Sequence, residues 1–177
     1  MPDLLAHALA AYALGTVLSW RYGWLTSAYV TVTMAGAFVP DLVKVRLVVH
    51  QSAVAELLGR PFSWDPLHYL GGVVLSVLVG VLLVAPGGRR RARVLALLSA
   101  GAATHLFLDA LLRTPSGRAY AAFWPLTEWR PPTPGLYLST EPWPTLFFGL
   151  VALAVWYVDR RRGETVAGPT DPTPVDD

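Results

Sequence analysis

Residues 93–112 read RVLALLSAGAATHLFLDALL, an apolar run of about the 20 residues a bilayer-crossing helix needs. Within it His105 and Asp109 are spaced i, i+4 and project from one helix face. Ionisable side chains inside such a run are costly, and where they occur they mark function. Four more runs, Leu4–Trp20, Leu25–Leu42, Tyr69–Ala85 and Trp143–Val158, share its Leu, Val, Ala and Gly content. Trp20, Tyr22, Trp24, Tyr69, Trp143, Trp156 and Tyr157 fall at their ends, where amphipathic rings suit the headgroup layer. The expected fold is all-α: a multi-pass membrane protein of about five transmembrane helices with two long outer loops, 43–68 and 113–142.

Composition agrees. Of 177 residues 54% are hydrophobic and 15% charged, which excludes a water-soluble globular enzyme, a disordered chain and a nucleic-acid module. Fourteen Lys and Arg against 12 Asp and Glu leave a net charge of +2, too even to imply a polyanionic partner. The absence of Cys removes disulfides and thiol chemistry. Residues 1–162 read as one integral-membrane domain, and 163–177 as a disordered acidic, Pro-rich tail. The first run lacks a basic leader and an A-x-A site and carries His7, so it is not a cleavable signal peptide.

Arg21, Arg89 to Arg91, Arg93 and Arg160 to Arg162 border short loops; Lys44, Arg46, Arg60, Arg113, Arg118 and Arg130 are spread over the two long ones. Basic residues in short loops stay cytoplasmic. The C-terminus is therefore expected inside, and the N-terminus and both long loops outside. Ser52–Leu58 is amphipathic and suits the membrane surface. The 113–142 loop exceeds the usual ~12–15 residues, and its aromatic content argues for order.

His7, Asp41, His68, His105 and Asp109 come from four separate runs and fall at similar depth on the outer side. Imidazole nitrogen and carboxylate oxygen suit a divalent metal, Zn²⁺ first, with Mn²⁺ or Fe²⁺ also compatible. Asp65 and Glu128 are the carboxylates placed to take a proton, and Arg118 and Arg130 are placed to hold a phosphate. Trp124 joins them as a substrate-facing ring. His50 reads as a surface residue. At headgroup depth the expected partners are membrane lipid or a lipid-linked substrate. Two other readings stand beside the enzyme: a polar cluster that only ties helices together, and a b-type haem carrier with two axial His. Five spans without a repeat argue against a transporter.

With these residues in order, the chain resembles the membrane-bound metal-dependent-hydrolase-like integral membrane proteins of bacteria and archaea. The landmarks are His7, Pro40-Asp41, His68, Thr104-His105 with Asp109, and Trp124-Pro125. One Lys and an acidic tail resemble versions from halophilic archaea. The resemblance implies a metal-dependent hydrolase with its site at the extracytoplasmic boundary. Two departures matter. Val43 stands where many members have a second carboxylate, and Phe62 to His68 lacks an additional His, so a single metal is expected. The order of His and Asp is also similar to that of zinc-dependent phospholipase C, which implies phosphoester chemistry by analogy alone.

Overall fold

The structure is a computed structural model that describes residues 4–85 and 87–166, with side chains as far as Arg162. Among them the regular structure is helical: α1 Leu4–Ser19, α2 Ser27–Ala37, α3 Gln51–Leu58, α4 Leu70–Val84, α5 Gly88–Ala110 and α6 Trp143–Val166. Two 3-10 segments, Pro40–Leu47 and Asp65–His68, lie between them. α5 sits at the centre, packed on α2, α1 and α4, while α6 leans on the far side of α1.

The packing follows from side-chain spacing. Val73, Val77 and Val81 of α4, each four residues apart, meet Val94, Leu98 and Ala102 of α5 at the same spacing. Two i, i+4 ridges thus interlock. Between α2 and α5 the contact is backbone to backbone. A Cβ on Gly36 would collide with Leu98, and one on Gly101 with the Thr33 carbonyl. Small residues at a crossing let apolar helices approach this closely.

α2 is shorter than the run Leu25–Leu42. It stops at Ala37, and the chain bends by 56° into the 3-10 segment that starts at Pro40. Proline offers no N–H to the helix ladder, although Val39 before it keeps α geometry. α5 begins at Gly88 instead of Arg93, so the arginine block is helical and not a loop. Gly87 and Gly88, at φ 151° and 57°, reverse the chain within two residues and allow this early start. α6 passes Val158 and runs to Val166. The rest of the expected 163–177 tail lies outside the described residues.

By length and composition, α5 is the one described helix able to cross a membrane; α2 with its 3-10 continuation makes a second if the bent pair is one span. α1 and α4 are apolar but have 16 and 15 residues. At 1.5 Å per residue that is about 23–24 Å of rise, short of a hydrocarbon core of ~30 Å. Away from the site, arginines lie over aromatic rings: Arg93 on Trp24 at 4.6 Å and Arg162 on Trp20 at 4.4 Å. Trp20 also donates to Asp159 at 2.8 Å, tying α1 to α6.

The 113–142 segment is ordered without regular secondary structure. Arg113 N–H donates to the Tyr137 carbonyl at 2.7 Å, Leu136 N–H to Leu111 at 2.9 Å and Ala119 N–H to Pro131 at 2.8 Å. It also folds back onto α4. The Leu70 and Gly71 N–H groups donate to the carbonyls of Ala122 and Trp124 at 2.8 and 3.0 Å. These first-turn donors have no partner within their own helix, so the loop serves as the cap of α4.

Candidate metal centre

Pro40 shapes the site before any ligand is considered. A continuing 3-10 turn would send the N–H of residue 40 to the Ala37 carbonyl, but proline has none. The Asp41 N–H goes to Phe38 instead, at 3.1 Å. The freed Ala37 carbonyl accepts from His105 Nδ1 at 2.7 Å. The Pro40 carbonyl accepts likewise from His68 Nδ1 at 3.1 Å. A carbonyl can only accept, so both imidazoles carry a proton on Nδ1 and turn Nε2 inward.

What they face is Asp109. His68 Nε2 lies 3.0 Å and His105 Nε2 3.4 Å from Oδ2, while His7 Nε2 lies 3.5 Å from Oδ1. His7 and His105 are wholly buried, their rings stacked at 3.7 Å and 11°. None of these three Nε2 atoms, nor either Asp109 oxygen, has a hydrogen-bond partner. Polar atoms left without partners in so buried a pocket cost free energy unless a proton or a metal ion lies among them. One proton would relieve one of these contacts; a metal ion relieves all of them.

The spacing fits that ion. Four tetrahedral ligands at ~2.0 Å from zinc are separated by about 3.3 Å, close to the observed 3.0–3.5 Å. His7, His105 and Asp109 each offer one atom within 4.8 Å of the others, and they are the tightest group. His68 reaches Asp109 from the side of a cavity of about 180 Å³ that it lines with Val43, Arg46, Asp65, Tyr69 and Tyr120. The stacked His7 and His105 rings leave no gap for a macrocycle between them.

Asp41 is buried near this group but engaged differently. Its Oδ2 pairs with Lys44 at 3.0 Å, and its Oδ1 is buried without a partner. Asp41→Asn is expected to weaken metal binding roughly 10- to 100-fold, the size of an outer-sphere loss. His50, exposed ahead of α3, should change nothing when replaced by Ala. Zn²⁺ titration of both variants measures this; a larger loss from His50→Ala would mean that the 43–68 segment folds over the site.

The other expected residues divide. Asp65 lines the cavity but is held by Arg46 at 3.2 Å. Glu128 is exposed and does not line it. Arg118 donates to the Arg130 carbonyl at 3.4 Å, so these two brace the outer loop and do not reach the cavity. Trp124 packs near Tyr69, ring centres 6.3 Å apart. Arg46 and Tyr120 were not expected, yet both line the cavity. Burial, and after it the Asp109 charge, pushes the Tyr120 phenol up from its usual range. The same causes push Tyr137 up to about 12, so it stays a donor, and its hydroxyl closes on the Leu108 carbonyl at 2.6 Å.

Among known families, the model described as YdjM inner membrane protein matches residues 1–169. No curated protein and no solved structure matches the chain.

Proposed function

The chain belongs to the YdjM inner membrane protein family, and from that premise we propose that it is a membrane-embedded metal-dependent hydrolase. In this reading five helices pass the membrane and the His/Asp centre lies at its extracytoplasmic boundary. The substrate is a lipid or lipid-linked phosphoester. One observation carries the proposal: three inward-facing Nε2 atoms converge on the Asp109 carboxylate at 3.0–3.5 Å, and none of these buried atoms has a hydrogen-bond partner. The resemblance to metal-dependent hydrolases through Pro40-Asp41 and His105…Asp109 points the same way.

His7, His105 and Asp109 would hold the ion, with His68 completing the set from the cavity side. A bound divalent metal supplies a Lewis acid and a water whose pKa falls to about 7. The chain's own contributions are positional. Ala37 and Pro40 fix two imidazole orientations, the stacked His7 ring shields the floor from water, and the cavity over His68 gives the approach. Asp65, at the cavity wall, is the carboxylate positioned to take a proton once Arg46 releases it.

Elemental analysis of detergent-purified protein should give about one Zn, Mn or Fe per chain, and metal-loaded protein should cleave a phospholipid in mixed micelles until a chelator is added. Protein that keeps no metal at all would overturn the reading. The rival, a metal or polar cluster that merely ties α1 to α5, is favoured by the complete burial of His7 and His105. It is selected if the metal is present and no lipid phosphoester is turned over.

Orientation has its own test. Reporter fusions after Arg162 should read cytoplasmic, and fusions within 113–142 external, because the short-loop side carries eight of the 14 basic residues. Reversed signals would move the centre to the cytoplasmic face.

A further inference from the structure

The cavity over His68 adjoins an apolar groove between α4 and α5. His68 and Tyr120 line it and also line a small neighbouring space that reaches Leu106. Leu106 in turn heads a groove of about 280 Å³ between α4 and α5. The backbone makes the same junction: Tyr69 lines the polar cavity and Leu70, the next residue, lines the groove. Apart from Ser99, the groove is walled by apolar side chains, among them Val74, Leu78, Leu95 and Ala103. The cavity and the groove therefore lie side by side and differ in chemistry.

The polar end has one fixed cation, Arg46. Its ion pair with Asp65 is 3.2 Å long, and both side chains are about half exposed, at 50% and 52%. Such pairs contribute roughly 0–1 kcal/mol. An incoming phosphoester can take the guanidinium in two parallel hydrogen bonds at little cost.

We propose that the two together bind one amphiphile, an anionic phosphoester head against Arg46 and a hydrocarbon chain along the α4–α5 groove. The inference rests on the hydrolase reading for what happens to the head; the seating of the lipid stands on the adjoining cavity and groove and on Arg46 at the cavity wall. Arg46 is the residue that selects an anionic over a neutral head, and the groove selects a lipid over a soluble phosphate.

The test uses the full chain in phosphatidylcholine nanodiscs and phosphatidic acid carrying a diazirine midway along one chain. Labelling should be saturable and map to residues of α4 and α5 that line the groove. Unlabelled phosphatidic acid should compete; diacylglycerol of the same chain length and inorganic phosphate should not. Arg46→Ala should weaken binding about tenfold. Ala103→Trp, which fills an exposed part of the groove wall, should reduce labelling there, with Leu78→Trp as a second variant should the first fail to fold. Labels scattered evenly around the bundle would overturn the proposal, as would labelling indifferent to Arg46→Ala or free phosphate competing as well as lipid. Metal content is measured on the same samples: its absence defeats the hydrolase reading, and the labelling pattern decides the lipid site separately.

Discussion

Asp109→Asn should leave the protein inserted and folded but reduce its metal content to background, a loss of affinity beyond roughly 100-fold. That exceeds the roughly 10–100-fold typical of an outer-sphere partner, because Asp109 is the single group that all three inward imidazoles approach. The substitution removes the charge and turns an acceptor into a donor. The new amide hydrogens can reach the Nε2 lone pairs, which otherwise have no partner. The metal-free variant should therefore melt no lower than metal-free wild type. Elemental analysis and a thermal melt in detergent give both results. If Asp109→Asn keeps wild-type metal, the cluster is a packing device and the centre is misassigned.

Gly101→Val is expected to be the most damaging substitution away from the ligands. Its side chain would drive into the Thr33 carbonyl and the backbone of Gly36 and Ala37. Backbone cannot step aside as a flexible side chain can, so α2 must move off α5. Overpacking of this kind costs about 1–3 kcal/mol, which at ~2–4 °C per kcal/mol for a chain of this size lowers the melting temperature by several degrees. Metal is lost with it, since His105 is oriented by the Ala37 carbonyl just beyond the crossing. Gly149→Val, at a position where an added Cβ meets nothing within 4 Å, is the control. Equal shifts in the two variants would show that the α2–α5 approach does not set the geometry.

Much of the centre was legible before any coordinates, for a reason particular to apolar chains. His7, His105 and Asp109 stand out because a charge in hydrocarbon costs at least ~2.5–3.5 kcal/mol on insertion scales. Three such residues on two helices have few reasons to be there apart. Asp41 was harder. Its position after Pro40 placed it at the right level, but Lys44 one turn on takes one oxygen, and spacing alone does not separate a direct ligand from a neighbour. The rim of the cavity was not legible at all. Arg46 and Tyr120 come from segments whose path depends on tertiary hydrogen bonds, and Arg118 and Arg130 were more conspicuous in a loop that braces itself. One signal was available: Arg46 and Asp65 are opposite charges, each a few residues from a site-bearing turn, and such pairs are candidates to meet across a mouth.

For the helices, hydropathy located five runs but not their ends. Hydropathy averages do not register that Pro40 lacks an N–H or that Gly87 and Gly88 turn the chain. Local backbone chemistry decided the break after Ala37 and the early start at Gly88.

The cap on α4 has a consequence for how the molecule is built. Leu70 and Gly71 are closed by carbonyls of Ala122 and Trp124, residues that leave the ribosome about 50 positions later. During synthesis these two first-turn amides have no protein acceptor until the chain beyond α5 has emerged and folded back. The turn carrying His68 directly precedes α4, so the fourth member of the cluster stands beside the helix end that this later segment closes. A chain truncated shortly after Leu112 would keep His7, His105, Asp109 and the Pro40 carbonyl that His68 donates to, but lack the acceptors that close the first turn of α4. The loop that contributes Tyr120 to the cavity thus also closes the helix that follows His68.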